Sequence, residues 1–315
     1  MDTTELVVRQ MRWESQDVMS VRLEKSDGAA LAAWTPGAHI DIHLGPTLIR
    51  QYSLCGDPDD KTGYRIAVLR DPASRGGSEH VHEMLRPGQL VSVSEPRNNF
   101  ELIDSPHFLF IAGGIGITPI LAMIREVSRR GASWELHYGG RSKSGMAFLD
   151  EIAEFQGSVE IVCEDESGRL NLTELLSVPR AGTAVYTCGP EGLLEAVESH
   201  GAEWPDGAIQ LERFKPKVAD PADSGGDRAV RVVCSRSGIS AVASPDRSIL
   251  DTLEDAGIDV SNSCREGMCG SCETPVLEGI PDHRDSVLSA AEQSSGKTMM
   301  ICVSRARTDE LVLDL

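Results

Sequence analysis

Short apolar runs separated by turn residues dominate the first hundred residues of the chain. Runs such as Ile40 to Leu44 and Ile66 to Leu69 lie between turn signals such as Thr35-Pro36-Gly37 and Arg86-Pro87-Gly88. Brief strands with Gly and Pro turns between them are typical of a small antiparallel barrel or sandwich. We therefore predict an antiparallel β-barrel domain over residues 1–102.

The pattern changes at Phe108, where a strand is followed by a glycine-rich turn, a helix and another strand. A helix is indicated by Thr118 as its N-cap, Pro119 at its first position and Gly131 just beyond its end. Alternation of strands and helices is typical of a parallel α/β domain. We predict such a domain over residues 103–214.

Pro, Gly and Asp crowd residues 215–228, which predicts an interdomain linker. Five apolar runs and one helix follow, and they predict a compact α+β domain over residues 229–315. The predicted strands are Val230–Cys234, Ile239–Ala243, Pro275–Leu277, Met299–Val303 and Leu311–Leu313, and the predicted helix is Ile249–Ala256.

Charge and hydropathy exclude some classes of function. With 30 Lys+Arg against 49 Asp+Glu, the formal net charge of -19 repels nucleic acid and anionic membrane surfaces. The long uncharged stretch from Ser105 to Ile124 is interrupted by a glycine-rich turn, which argues against a membrane span. The first residues show neither a basic region nor an apolar core of a secretory signal. We predict a cytoplasmic protein with no nucleic-acid or membrane partner.

Three of the eight cysteines crowd into nine residues, which points to a metal centre rather than to disulfides. The motif C-x4-C-x2-C consists of Cys264, Cys269 and Cys272, and Cys302 follows after 29 residues in a predicted strand. This is the plant-type spacing for a two-iron two-sulfur cluster. Gly267 and Gly270 allow the loop backbone to approach a cluster closely. A zinc site or unrelated buried thiols remain the alternatives, and Cys55, Cys163 and Cys234 are predicted to be plain buried thiols.

A cluster of this kind has a potential of roughly -400 mV and carries one electron at a time. Nicotinamide donates two electrons together, so a flavin is needed between them. Four motifs upstream are candidates for these two sites. In chain order they are Arg50-Gln51-Tyr52-Ser53, Arg75-Gly76-Gly77-Ser78, the segment Ile111 to Pro119, and Tyr186-Thr187-Cys188-Gly189-Pro190.

Together these motifs resemble the ferredoxin-NADP reductase superfamily, and the C-terminal ferredoxin narrows the resemblance to the phthalate dioxygenase reductase and vanillate O-demethylase reductase family. The resemblance implies a β-grasp fold for the last domain. It implies that Cys264, Cys269, Cys272 and Cys302 are the iron ligands. It also implies that Arg50 contacts the flavin phosphate, that Tyr52 packs on the isoalloxazine ring, and that Ser53 approaches N5 of that ring.

The same resemblance implies further binding residues. The flavin phosphate would be bound by Arg75, Gly76, Gly77 and Ser78. The nicotinamide dinucleotide would be admitted by Gly113, Gly114, Gly116, Thr118 and Pro119. Beside the nicotinamide ring would lie Cys188, Gly189 and Pro190. Phe214 is either a cover for the flavin ring or a simple packing residue. Gly114-Ile115-Gly116 lacks the third glycine of a Rossmann fingerprint, so that fold is not predicted.

The resemblance implies an enzyme that oxidises NADH and passes electrons through FMN and the 2Fe-2S cluster to a Rieske-type oxygenase. FAD, and NADPH bound through Arg141, are the alternative cofactors. A cytochrome P450 or another acceptor is the alternative partner, and an electron carrier with a vestigial nicotinamide site is the alternative class. Moving a hydride between stacked rings needs no general acid or base, so no catalytic residue is nominated.

Overall fold

Seven antiparallel strands form the first domain in the computed structural model, which describes residues 3–45, 48–216 and 228–315. The elements are β1 (Thr3–Ser15), β2 (Val18–Glu24), β3 (Ala38–His43), β4 (Ile49–Ser53), β5 (Gly63–Leu69), α1 (Gly77–Glu83), β6 (Leu90–Ser94) and β7 (Arg97–Asn98). The strand order is β4-β3-β6-β1-β2-β5, with β7 paired to β3. A bridge between Leu54 and Ile66 joins the two outer strands, so the sheet closes into the predicted barrel.

A five-stranded sheet follows, in which every pair of neighbours is parallel. Its elements are β8 (His107–Gly113), α2 (Ile117–Arg129), β9 (Ser133–Gly140), α3 (Leu149–Ile152), β10 (Ser158–Cys163), α4 (Glu164–Ser167), α5 (Leu172–Leu176), β11 (Thr183–Cys188), α6 (Glu191–His200) and β12 (Ile209–Glu212). The order is β10-β9-β8-β11-β12. Parallel strands end at one edge, and ligands of such sheets bind outside that edge. The α/β prediction is confirmed.

The start of α2 differs from the prediction. The helix begins at Ile117 with Gly116 as its N-cap, so Thr118 lies inside the first turn. The Thr118 hydroxyl donates to the carbonyl oxygen of Ile115 at 3.0 Å instead of capping a backbone N–H. A single 3-10 turn over Gly114–Gly116 runs directly into α2 and removes the extended residue that a threonine cap requires. Gly131 follows the helix with a φ of 69°, as expected for a terminating glycine.

The last domain has a mixed five-stranded sheet of order β14-β13-β19-β15-β17. Its elements are β13 (Val230–Cys234), β14 (Ser240–Ala243), α7 (Ile249–Asp255), β15 (Glu273–Glu278), β16 (Pro281–Asp282), α8 (Ala290–Ser295), β17 (Thr298–Met300), β18 (Arg305–Ala306) and β19 (Glu310–Leu313). Strands β13 and β19 are parallel, and the other neighbours are antiparallel. With α7 packed on the sheet, this is the predicted β-grasp fold.

One strand of this domain is shorter than predicted. β17 ends at Met300, so Cys302 lies in the turn that follows and not in a strand. A turn leaves the side chain free to face a neighbouring loop, whereas a strand would fix it to one face of the sheet.

By the density of their contacts, the described residues divide into two units, Asp2–Arg213 and Phe214–Leu315. Residues 217–227 of the predicted linker lie outside the described residues, and the predicted domain limits stay predictions. Within the described ranges, no helix is long and apolar enough to cross a membrane.

Candidate functional site

The strand β4 carries the first predicted flavin motif, and its register sets which way each side chain points. Tyr52 lies opposite Ile40 and packs against the barrel core, whereas Ser53 lies opposite His39 on the other face. The alternation predicted for this strand is therefore present. Burial raises the pKa of Tyr52, so its phenol stays neutral.

The Arg75-Gly76-Gly77-Ser78 segment reaches the side chain of Arg50. The guanidinium of Arg50 donates to the carbonyl oxygen of Arg75 at 2.6 Å. A Cβ atom on Gly77 would lie 2.5 Å from Cγ of Arg50, so only glycine allows this approach. Gly76 is the N-cap of α1 and adopts a φ of 87°. A positive side chain therefore lies beside a helix start, which suits an anionic group.

The two predicted nicotinamide segments meet, although more than seventy residues separate them. A Cβ atom on Gly116 would lie 2.1 Å from the carbonyl oxygen of Cys188, and one on Gly189 would lie 3.0 Å from Cα of Gly113. Strands β8 and β11 are parallel neighbours, so both segments leave the same edge of the sheet. Pro190 caps α6 directly after Gly189 and lies against Gly113. Glycine is required here because two backbones touch.

Glu212 joins this group, although the sequence motifs assigned it no role of its own. It lies beside Cys188 in the register of β11 and β12, and the Ser53 hydroxyl donates to its carboxylate at 3.5 Å. Burial raises the pKa of the Glu212 carboxyl to about 8, and the Ser53 hydrogen bond opposes that shift. The signal that would have found it is its position, since a charged residue at the carboxyl end of a parallel strand faces the ligand edge.

Several buried polar atoms in this region have no hydrogen-bond partner, as do others elsewhere among the described residues. Those in this region are Nε2 of His39, Nε2 of Gln51 and Oγ1 of Thr187. Each of these residues lies next to, or opposite, a residue of the predicted flavin or nicotinamide motifs. Buried polar atoms normally have partners, so a bound polar molecule is the expected explanation. The residues present therefore fit a flavin and a nicotinamide.

Two further predicted residues lie at the edges of this site. Arg141 follows β9 and is exposed, and its carbonyl oxygen accepts a hydrogen bond from the Asp165 amide at 3.1 Å. Phe214 begins the second unit and is 40% exposed, so its predicted flavin contact stays a prediction. Its neighbour Arg213 is held by ion pairs to Glu191 and Glu198 of α6, which anchors the end of β12.

The loop between α7 and β15 presents three cysteines. Backbone amides of Glu266 and Met268 donate to the sulfur of Cys264 at 3.3 and 3.4 Å. The Ser271 amide donates to the sulfur of Cys269 at 3.4 Å. Hydrogen bonds of this kind favour thiolates and tune the potential of a bound cluster.

Left-handed backbone occurs at three places in this loop, at Arg265, Gly267 and Gly270. Such a conformation curls the chain around a centre, and the two glycines adopt it without steric cost, as predicted.

The four thiols lie as two interacting pairs, Cys264 with Cys269 and Cys272 with Cys302. The contact within each pair lowers the pKa of one thiol, Cys269 or Cys272, and raises the pKa of its partner. In the described ranges, no group of three or more His, Cys, Asp or Glu side chains is arranged around a single ion. Two pairs fit a two-iron cluster, in which four cysteines supply two thiolates to each iron.

The other four cysteines, Cys55, Cys163, Cys188 and Cys234, are buried free thiols. Burial raises the pKa of each of them. For Cys55, Cys163 and Cys234 this agrees with the expected packing role.

Two family models match the chain. A model for an oxidoreductase NAD-binding domain matches residues 110–199, and a model for a 2Fe-2S iron-sulfur cluster binding domain matches residues 232–307. Both matches fall where the sequence motifs predict these domains.

The chain is also similar to whole proteins. It is 40% identical over 318 residues to the vanillate O-demethylase oxidoreductase of Pseudomonas sp. strain HR199, with 99% of each chain covered. A solved phthalate dioxygenase reductase, described as a modular structure for electron transfer from pyridine nucleotides to [2Fe-2S], has a TM-score of 0.72 and 36% identity. That match covers 99% of this chain and 98% of the other.

A self-sufficient cytochrome P450 monooxygenase also contains a region like this chain, with a TM-score of 0.92 and 43% identity over 99% of this chain. The chain spans only 41% of that protein. The resemblance predicted from the motifs is confirmed, and the chain belongs to the phthalate dioxygenase reductase and vanillate O-demethylase reductase family of oxidoreductases.

Proposed function

We propose that this chain oxidises NADH and delivers single electrons, through FMN and a 2Fe-2S cluster, to a Rieske-type oxygenase. The observation that carries the proposal is that one chain contains two groups of candidate cofactor-binding residues. In the first unit, Ser53 and Cys188 both lie beside Glu212. The second unit contains two pairs of cysteines. A bound flavin would accept two electrons together and release them one at a time.

Arg50 is the residue that binds the flavin phosphate in this proposal. Its guanidinium is positioned by the Arg75 carbonyl and lies against Gly77 at the start of α1. Ser78 accepts a hydrogen bond from the Asp71 amide at 3.2 Å, which leaves its own hydroxyl hydrogen available to a phosphate oxygen. These groups suit a single terminal phosphate, which supports FMN over FAD.

NADH is proposed over NADPH on the charges near Arg141. The helix α4 follows β10 directly, and its first turn carries Glu164, Asp165 and Glu166. The hydrogen bond from the Asp165 amide to the Arg141 carbonyl brings these acids close to the predicted adenosine side. Carboxylates repel a 2'-phosphate, and they offset the attraction of one exposed arginine.

Glu212 and Ser53 provide a place for a proton beside the predicted N5 contact. Below pH of about 8 the Glu212 carboxyl holds a proton, because burial disfavours its charged form. The Ser53 hydroxyl links it to the flavin edge of the barrel. The hydride step itself still needs no acid or base. The proposed role of these two residues is therefore to hold a proton near the flavin, and not to catalyse hydride transfer.

The cysteine pairs support a proposal for which thiols bind which iron. We propose that Cys264 and Cys269 bind one iron and that Cys272 and Cys302 bind the other. Each pair would supply two thiolates to its iron, and the thiols would lose their protons as the metal binds.

A cytochrome P450 is the second candidate for the electron acceptor, because a self-sufficient P450 contains a region 43% identical to this chain. The oxygenase is favoured because this chain covers 99% of a free-standing oxidoreductase named for vanillate O-demethylation. The two acceptors can be told apart directly, by adding each to the reduced chain.

An absorption spectrum of the purified chain tests the proposal. We expect flavin and iron-sulfur bands that both bleach with NADH and bleach much more slowly with NADPH. Chromatography of the acid-released flavin should identify FMN. Colourless protein containing zinc would contradict the central claim, and FAD in the chromatogram would overturn the flavin assignment alone.

Cutting the chain near Lys217, outside the described residues, tests the order of electron transfer. The fragment before the cut keeps the flavin and nicotinamide motifs, so we expect it to oxidise NADH with a small artificial acceptor. It should not reduce a protein acceptor, because it lacks all four iron ligands. Reduction of that acceptor at the intact rate would show that electrons bypass the cluster.

A further inference from the structure

The loop that follows β16 lies against the three-cysteine loop at Gly267. The Ser286 amide donates to the Gly267 carbonyl oxygen at 2.9 Å. A Cβ atom on Gly267 would lie 2.6 Å from Cγ2 of Val303 and 3.1 Å from Cα of Asp285. Val303 is the residue after the fourth cysteine. Three segments therefore meet at one glycine: the cysteine loop, the loop that contains Asp285, and the segment that carries the fourth cysteine.

A buried carboxylate lies at this junction. The side chain of Asp285 is 0% exposed. Its Oδ2 accepts hydrogen bonds from the amides of Leu288 at 2.8 Å and Val287 at 3.2 Å, and its Oδ1 accepts one from the Ser304 hydroxyl at 3.4 Å. His283 Nδ1 lies 3.7 Å from Oδ1, beyond hydrogen-bonding distance. Both oxygens are used as acceptors, which is the role of an ionised carboxylate.

Ser304 connects this carboxylate to the fourth cysteine. It is fully buried and lies two residues after Cys302. Besides donating to Asp285, its hydroxyl accepts a hydrogen bond from the Arg284 amide at 3.2 Å. Its own amide donates to the Met300 carbonyl at the end of β17. One buried hydroxyl therefore ties the Asp285 loop to the segment that presents Cys302.

We infer that Asp285 is a positioning residue, which holds the three-cysteine loop and the Cys302 segment in the mutual arrangement that a 2Fe-2S cluster needs. The inference rests on the proposed cluster site and extends it to residues that are not ligands. Groups behind metal ligands commonly fix the orientation of the ligands and tune the metal. A second consequence follows from charge: a buried carboxylate opposes the addition of an electron nearby, because charges interact strongly where water is excluded.

Two substitutions, compared with each other, separate the negative charge from the hydrogen bond to Ser304, because one removes both and the other removes only the hydrogen bond. Asp285→Asn keeps the shape of the side chain but removes the negative charge and replaces one acceptor oxygen by a donor, so Ser304 must turn its hydroxyl hydrogen away. Ser304→Ala removes the link and leaves the charge. Asp282→Asn is the matched control, since it makes the same chemical change at the end of β16, three residues before Asp285. Asp282 is 23% exposed and is bonded to the side chain of Arg284.

The full chain with its cluster is used for two measurements: the rate at which cluster absorbance is lost to an iron chelator, and the equilibrium of the cluster with a redox dye. We expect Ser304→Ala to lose iron about tenfold faster or more. We expect Asp285→Asn to shift the equilibrium toward the reduced cluster by about tenfold, or 59 mV for one electron. The control should change both quantities by less than about twofold.

Ser304→Ala losing iron at the wild-type rate would overturn the positioning role. If Asp285→Asn assembles no cluster, the role is supported, and Ser304→Ala still decides it independently. A potential that shifts equally in Asp285→Asn and Asp282→Asn would refute the contribution of the buried charge. Wild-type protein without iron and sulfide would contradict the proposed function itself. Variants that lose iron at the wild-type rate and keep the wild-type redox equilibrium would contradict only this inference.

Discussion

In the ferredoxin domain the proposed cofactor site depends on four thiol side chains. In the nucleotide domain the proposed site depends mostly on close contacts between backbone segments. Three of the four cysteines lie within nine residues of one loop. The nicotinamide segments, by contrast, lie at the ends of β8 and β11 and meet through glycines that touch backbone. A metal ligand requires a particular side chain, but a close backbone contact requires the absence of one. The two regions should therefore respond to different kinds of substitution.

The largest effect is expected for Cys302→Ser, which removes a proposed iron ligand. A serine hydroxyl is a poor ligand for iron in these clusters, which are held by cysteine thiolates. We expect electron delivery to a protein acceptor to collapse, while NADH oxidation with a small flavin-reactive acceptor continues. Cys234→Ser is the control, because Cys234 is equally buried in the same domain but has no place in the cysteine pairs. Delivery at the wild-type rate by Cys302→Ser would refute the order of transfer.

A smaller effect is expected for Gly116→Ala, which adds a side chain where two backbone segments touch. The added methyl would lie 2.1 Å from the Cys188 carbonyl oxygen, and overpacking of this kind costs about 3 kcal/mol. Gly114→Ala is the matched control: its φ is 53° and its Cβ would meet nothing within 4 Å, so only backbone strain of about 1 kcal/mol is expected.

The measurement is denaturant unfolding followed by tryptophan fluorescence. All four tryptophans, Trp13, Trp34, Trp134 and Trp204, lie in the first unit, so the signal reports that unit alone. The affinity for NADH should weaken with Gly116→Ala more than with Gly114→Ala. Equal losses in the two variants would show that the contact between the nicotinamide segments does not matter.

The most gradual effect is a pH dependence that comes from Glu212. Its folded-state pKa of about 8 lies above the ordinary value of 4.5, so the folded chain keeps a proton that the unfolded chain releases. The resulting stabilisation is fully present below pH 4.5 and is lost as the pH rises through 8.

Relative to Glu212→Gln, the wild type should lose up to about 1.4 kcal/mol of unfolding free energy per pH unit in that window. Tryptophan fluorescence again follows the first unit. Glu195→Gln, at an exposed position of α6, makes the same chemical change on the surface and should leave the pH profile of the wild type unchanged. If the difference in unfolding free energy between wild type and Glu212→Gln does not change with pH, the Glu212 carboxyl is solvated.

Local patterns in the sequence predicted the fold classes and the two kinds of site. The strand β13 has the predicted limits, and the R-x-Y-S motif lies on a strand with the expected alternation. These predictions succeed because hydrophobic periodicity and metal-ligand spacing are local properties, written in consecutive residues. The prediction that Thr118 is an N-cap is wrong, because a 3-10 turn runs directly into the helix and makes Gly116 the N-cap. The pattern of residue types does not indicate that turn.

The sequence by itself determined the spacing of the cysteines, the positions of glycine turns and the segments in which apolar and polar residues alternate. Only the tertiary structure decided which distant segments meet. Glu212 reaches Ser53, and Asp285 reaches Ser304 beside the Cys302 turn, because sheet register and loop packing bring them together. Neither role follows from a motif, since both depend on burial and on partners many residues away. Contacts of this kind depend on the packing of the whole domain, which no short stretch of sequence specifies.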